Sequence, residues 1–104
     1  MTRIRMTQAT SLVLHALAAG HRHGFTVMEA TGLASGTVYP VLRRLEEAGA
    51  VTSAWEDGTE ARAAGRPRRR LYRLTPRGRE HAAEAARRLR GAVELLGGLG
   101  DAVE

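Results

Sequence analysis

Residues 61–79 hold eight of the chain's sixteen arginines (Arg62, Arg66, Arg68, Arg69, Arg70, Arg73, Arg77 and Arg79) and no acidic residue. A guanidinium is a planar fork of donors that matches phosphate oxygens and guanine edges, so this segment suits recognition of a polyanion. The chain has no lysine; a GC-rich genome would explain arginine in place of lysine, but not the clustering. A second group stands upstream: Ser35, Thr37, Tyr39, Pro40, Arg43 and Arg44, interleaved with Val38, Val41, Leu42 and Leu45. The apolar set recurs at i, i+3, i+4 and i+7, one face of a helix. That spacing turns the polar and cationic set outward. Ser35 is the expected N-cap and Gly49 the expected stop. A short helix, basic outward and aliphatic inward, fits a DNA major groove.

Other chemistries find less support. Cysteine is absent, which removes disulfides, thiolate metal sites and thiol nucleophiles. His15, His21, His23 and His81 have no carboxylate or cysteine array around them, so no metal site is expected. No nucleophile–base pair, glycine-rich phosphate loop or paired carboxylates stand out; the expectation is a protein that is not an enzyme and needs no cofactor. Net charge is +5, which permits polyanion binding. Aromatic residues make up only 4%, so the core of this single domain must be aliphatic and alanine-rich, and Trp55 is expected in packing. The apolar part of Thr7–Gly20 is too short to span a bilayer and nothing resembles a signal peptide, so a cytoplasmic location is expected.

These groups need elements to hold them. Residues 1–6, with Arg3 and Arg5, read as a loose arm. Thr7 or Thr10 caps a first helix that runs to about Ala19, with Ala9, Leu12, Val13, Ala16 and Leu17 inward. Leu14 and Ala18 form a second, weaker stripe, which marks Leu14 as a contact to a partner's helix. Phe25–Thr31 reads as a short helix with Phe25 and Met28 inward, closed by Gly32. With the helix after Leu33 it forms a helix-turn-helix. Val51–Glu56 and Arg70–Thr75 read as strands, Tyr72 and Leu74 sharing one face, with Asp57-Gly58-Thr59 as a turn. The segment 57–69 between them is a long basic loop, a wing, in which Gly65-Arg66-Pro67 resembles the core of a minor-groove hook. Thr75-Pro76 opens a last helix whose Ala82, Ala86, Leu89, Val93 and Leu96 are spaced as a heptad seam for dimerisation. Gly97, Gly98 and Gly100 predict fraying near 97. The expected class is therefore mainly α with a small β-hairpin (α+β): a winged helix-turn-helix over 1–75 with its wing about 51–75, a dimerisation helix over 76–97, and a flexible tail over 98–104.

Ser35-Gly36-Thr37-Val38-Tyr39-Pro40-Val41-Leu42-Arg43-Arg44-Leu45-Glu46, followed by Gly49, Trp55 and Tyr72-Arg73-Leu74-Thr75 with Gly78, resembles the PadR-like transcriptional regulators. The resemblance covers roughly Gly24–Arg79, and the single last helix matches the small subgroup. It implies a bacterial, dimeric repressor on a palindromic operator, often released by a small-molecule or stress signal. The stretch from Gly24 to Ser35 is shorter than in many relatives. The last helix has no aromatic residue, which argues against an aromatic drug slot between its copies.

The leading expectation is a homodimeric repressor of double-stranded DNA. Ser35, Thr37, Tyr39, Pro40, Arg43 and Arg44 would enter or flank the major groove, and Arg66 and Arg68 would meet the backbone or minor groove. Tyr39 either reaches a phosphate or packs against the wing. Pro40 shapes the first helical turns and offers apolar surface to a base edge. Arg43 and Arg44 are about 100° apart on the helix, so one faces DNA while the other pairs with Glu47; the pattern does not choose between them. A winged-helix module for a protein partner and a non-specific nucleic-acid binder are the alternatives. Few aromatic platforms argue against single-strand recognition.

Overall fold

The computed structural model describes residues 4–103, with side chains described for 4–97. Seven elements follow one another: α1 Gln8–Ala18, α2 Gly24–Thr31, α3 Ser35–Glu47, β1 Val51–Trp55, α4 Gly58–Ala63, β2 Arg70–Leu74 and α5 Pro76–Val103. Thr7 caps α1: its hydroxyl accepts the Thr10 amide at 3.1 Å and donates to the Thr10 hydroxyl at 3.0 Å. Gly32 ends α2 at φ 75°, a left-handed conformation that favours glycine. That turn sets α3 against α2 as a helix-turn-helix.

One aliphatic core joins these elements. Val38, Val41, Leu42 and Leu45 of α3 are all buried, as their spacing requires. They meet Val13, Leu14 and Leu17 of α1, Val27 of α2, Val51 of β1, and Ala82 and Ala85 of α5. Helix α1 is central: it packs against α2, α3, β2 and, most extensively, α5. This explains the fate of Leu14. Instead of lying on a second stripe for a partner, it is fully buried in the chain's own core, because α1 is covered on more sides than its sequence neighbours alone would provide. Phe25 departs in the opposite sense. It is exposed, and Val27 takes the inward place on α2. Residues 1–3 of the expected arm lie outside the described residues, but Ile4 and Met6 pack against the core.

β1 and β2 pair antiparallel, from Val51↔Leu74 to Trp55↔Arg70. The Glu56 amide adds one more rung, donating to the Arg69 carbonyl at 2.7 Å. The hairpin is tied down at both flanks. The Tyr72 amide donates to the Arg22 carbonyl at 2.7 Å, and the Thr75 hydroxyl donates to the Gly49 carbonyl at 2.7 Å. The same hydroxyl accepts the Gly78 amide at 3.0 Å, capping α5 above Pro76.

The segment expected as an open loop contains α4. Asp57 supplies its N-cap, accepting the Thr59 amide at 2.8 Å, and Ala61 buries beneath it. At the far end, α5 continues through the glycines to Val103 where fraying and a flexible tail are expected. Each glycine costs roughly 1 kcal/mol, but extending a formed helix adds a hydrogen bond per residue without a new nucleus.

Candidate nucleic-acid interface

The N-cap of α3 is Ala34, extended in backbone and with no capping side-chain hydrogen bond. Ser35 is thus the first helical residue and not the cap, and it stands exposed with Gly36 at the helix start. Tyr39, Arg43, Arg44 and Glu47 are exposed along the outer face, while Thr37 and Pro40 are half-buried. Pro40 has no amide to donate to the Gly36 carbonyl, so the helix loses a hydrogen bond just where its outer face is most polar. Neither Arg43 nor Arg44 makes a salt bridge among the described residues, and the pairing with Glu47 is not formed. Both guanidiniums therefore remain available to an external anion.

Tyr39 reaches back over the start of α2. A Cβ on Gly24 would stand 2.5 Å from its ring carbons Cε1 and Cζ. A glycine is what lets this ring lie so close. The tyrosine thus bridges the two helices of the motif, with its ring partly open to solvent.

Across a cleft from Tyr39 lies the wing root. Arg66 forms two hydrogen bonds to Glu56, Nη1 to Oε1 and Nη2 to Oε2, the second at 2.9 Å. The Arg69 amide adds a third at 3.3 Å. These contacts, led by the Arg66 side chain, hold the Glu56 carboxyl down to about pKa 2 against the opposing effect of desolvation. They also raise the Arg66 pKa. Arg66 is therefore a clamp inside the wing, and the expected groove-entering hook is not free: its fork is already filled by a carboxylate. Arg68, in contrast, is exposed. Arg68 and Arg70 lie 5.7 and 5.3 Å from the centroid of Trp55, within cation–π range. Trp55 is exposed, a platform for two arginines and not a core residue.

Arg70 is also held from the helix side. Its Nε donates to Ser53 Oγ at 3.0 Å, and that hydroxyl donates to Glu46 Oε2 of α3 at 2.6 Å. A polar chain thus couples α3 to the wing. Arg69 Nη1 lies 2.9 Å from His23 Nε2, a contact that requires a neutral imidazole; burial first, then Arg69, lowers the His23 pKa.

The residues expected at a dimer seam separate into two groups. Ala82 is buried in the chain's own core, and Ala86 and Leu89 are half-buried. Val93 and Leu96 are about two-thirds exposed, as is Leu95, which the heptad spacing does not include. Among the described residues no group of histidine and carboxylate side chains could hold a metal ion. No helix there is long and apolar enough to cross a membrane.

The family model of the transcriptional regulator PadR-like family matches residues 13–84, from the core of α1 through the wing into α5. The chain belongs to the PadR-like family of transcriptional regulators. A comparison with curated proteins finds no match. A PadR family transcription regulator from Clostridium difficile superposes with a TM-score of 0.69 at 19% identity, covering 89% of this chain and 98% of that one. A PadR-like transcription factor from Bacteroides fragilis gives 0.62 at 19%, over 86% and 87%. ZitR of Lactococcus lactis, solved in complex with DNA, gives 0.69 at 21%, over 96% of this chain but 64% of that regulator's length. At these identities the likeness is one of fold: a winged helix shared by all three. As a member of a family of transcriptional regulators, the PadR-like chain is not an enzyme.

Sequence alone assigns Glu56 no role in the wing and turns Phe25 inward, whereas Glu56 is buried on Arg66 and Phe25 stands exposed. A single acid beside an arginine-rich segment is a readable hint of a clamp. Nothing in the sequence marks Phe25 as outward.

Proposed function

We propose that the chain binds double-stranded DNA sequence-specifically as a homodimeric repressor. The observation that carries this reading is the exposed outer face of α3, with unpaired Arg43 and Arg44, set beside a clamped wing that displays Arg68 and Arg70. Ser35, Thr37, Tyr39, Pro40, Arg43 and Arg44 would enter or flank the major groove. Arg68 would meet the backbone or minor groove, while Arg66 would act indirectly through the shape of the wing. The DNA complex of ZitR, with the same fold, supports a winged helix of this kind working on duplex DNA.

Dimerisation would use the exposed Val93 and Leu96, which at i and i+3 share one face of a surface helix. The open groove of about 600 Å³ among α1, β2 and α5, lined by Leu17, Leu74, Ala82 and Ala86 together with His15, Arg73 and Arg79, offers a second copy of α5 a seat. Two-fold symmetry then gives a pseudo-palindromic operator with half-sites about one helical turn apart. Release by a small-molecule or stress signal, and work in the cytoplasm, complete this reading.

Selection of bound fragments from the source genome tests it. The expected result is a shared pseudo-palindrome with that half-site spacing. Equal affinity for the selected site and for random DNA would overturn it.

A further inference from the structure

Three of the chain's four aromatic residues meet at one place. Phe25 of α2, Tyr39 of α3 and Trp55 of β1 line an open cleft of about 440 Å³ between the helix-turn-helix and the wing, together with His23 and Arg66, Arg68, Arg69 and Arg70. Their exposures are 61%, 44% and 56%, unusual for aromatic residues in a chain this poor in them. The volume lies in the range of small-molecule sites, roughly 300–1,000 Å³.

No carboxylate lines the cleft. Arg66 is neutralised by Glu56, and Arg70 leans towards Ser53 and Glu46. Arg68 and Arg69 make no salt bridge among the described residues. Arg69 is nevertheless oriented by His23 at 2.9 Å, and Arg68 by Trp55. Two uncommitted and positioned guanidiniums thus face three exposed rings.

A duplex would use the cations and the Tyr39 hydroxyl but leave the ring faces unstacked, because duplex bases are already stacked on one another. The combination suits a ligand that carries both a free π-face and an anion. A carboxylate brings one charge. A phosphate monoester brings nearly two and three strong acceptor oxygens, the better match for two arginine forks. We propose that this cleft binds a free mononucleotide, its base against Phe25 and Tyr39 and its phosphate on Arg68 and Arg69. Since Tyr39 and Arg68 also belong to the proposed DNA face, the bound nucleotide competes with DNA; that second part rests on the DNA-binding reading above.

Trp55 is the chain's only tryptophan and reports on the cleft directly. With the full chain and no DNA, AMP should change Trp55 fluorescence saturably, and adenosine or inorganic phosphate alone should bind at least about tenfold more weakly. Phe25→Ala, at an exposed position outside the proposed DNA face, should weaken AMP about tenfold through lost stacking and leave DNA affinity unchanged. No saturable response to AMP overturns the site. So does phosphate that binds as well as AMP, which marks a simple anion site, or a short single strand that binds far more tightly than AMP. Displacement of labelled duplex DNA by AMP is measured separately. AMP binding by a chain that binds no DNA leaves the site standing and removes the DNA reading. AMP that binds without displacing bound DNA overturns the competition.

Discussion

The Arg66 guanidinium lies flat against Glu56, Nη2 2.9 Å from Oε2 and Nη1 on Oε1, with the glutamate shut off from solvent. The pair closes the wing: Glu56 follows β1, Arg66 follows α4, and the Arg69 amide on the same carboxylate leads into β2. The arginine that the sequence offers as a hook serves the wing's shape instead.

A depressed carboxyl pKa makes a prediction about acid. Glu56 titrates at about 2 in the folded chain against 4.5 ordinarily. A lowered folded-state value means that the stabilisation is fully present above 4.5 and is lost as pH falls towards 2. The protection of the wing amides against hydrogen exchange, taken relative to the intrinsic rate at each pH, should therefore fall across that window, and Glu56→Gln should lower it at neutral pH while removing the dependence. The same variant releases Arg66. It should weaken DNA binding by loosening the wing; tighter binding would mean that a freed Arg66 contacts DNA after all.

The start of α5 sits on the backbone of Ala50. A Cβ at Gly78 would lie 2.9 Å from the Ala50 carbonyl carbon and in still closer conflict with its oxygen, the acceptor for the Thr75 amide. Backbone cannot swing aside as a side chain can, so Gly78→Ala should destabilise the fold by about 1–3 kcal/mol. Gly91, with open space around it in the same helix, is the control: Gly91→Ala should stabilise by roughly 0.5–1 kcal/mol. Urea unfolding of both variants checks the contrast.

Arg43 and Arg68 should divide specificity from affinity. Arg43→Ala on the outer face of α3 should cost roughly 1–3 kcal/mol on the selected operator and little on random DNA. Arg68→Ala should weaken binding to all sequences alike and lower the salt slope by about 1. Binding isotherms over a salt series with both DNAs separate the outcomes; identical profiles for the two variants would refute the division.

The exposed strip on α5 predicts an oligomer. Leu96→Glu places a charge where a second copy would bury a leucine, so sedimentation equilibrium should shift from dimer to monomer. Helical content should be retained, since Leu96 is 67% exposed in the single chain. A wild-type chain that sediments as a monomer would remove the dimer from the model.

What the sequence by itself determined is local. The spacing of Val38, Val41, Leu42 and Leu45 could bury only one way, Thr75-Pro76 could only begin a helix well, and two short strands on either side of a basic segment had to pair. Each follows from backbone periodicity or from one residue's stereochemistry. Tertiary structure decided what non-neighbours cover. Periodicity says which residues share a face of α1, but only the arrival of α5 buries Leu14. It does not say that Phe25 turns out and Val27 in. Nor could it show that α4 folds the chain back far enough to bring Arg66 onto Glu56, or that Phe25, Tyr39 and Trp55, from three separate elements, converge on one cleft. Those relations depend on where elements distant in sequence come to rest, and that depends on the whole core packing at once.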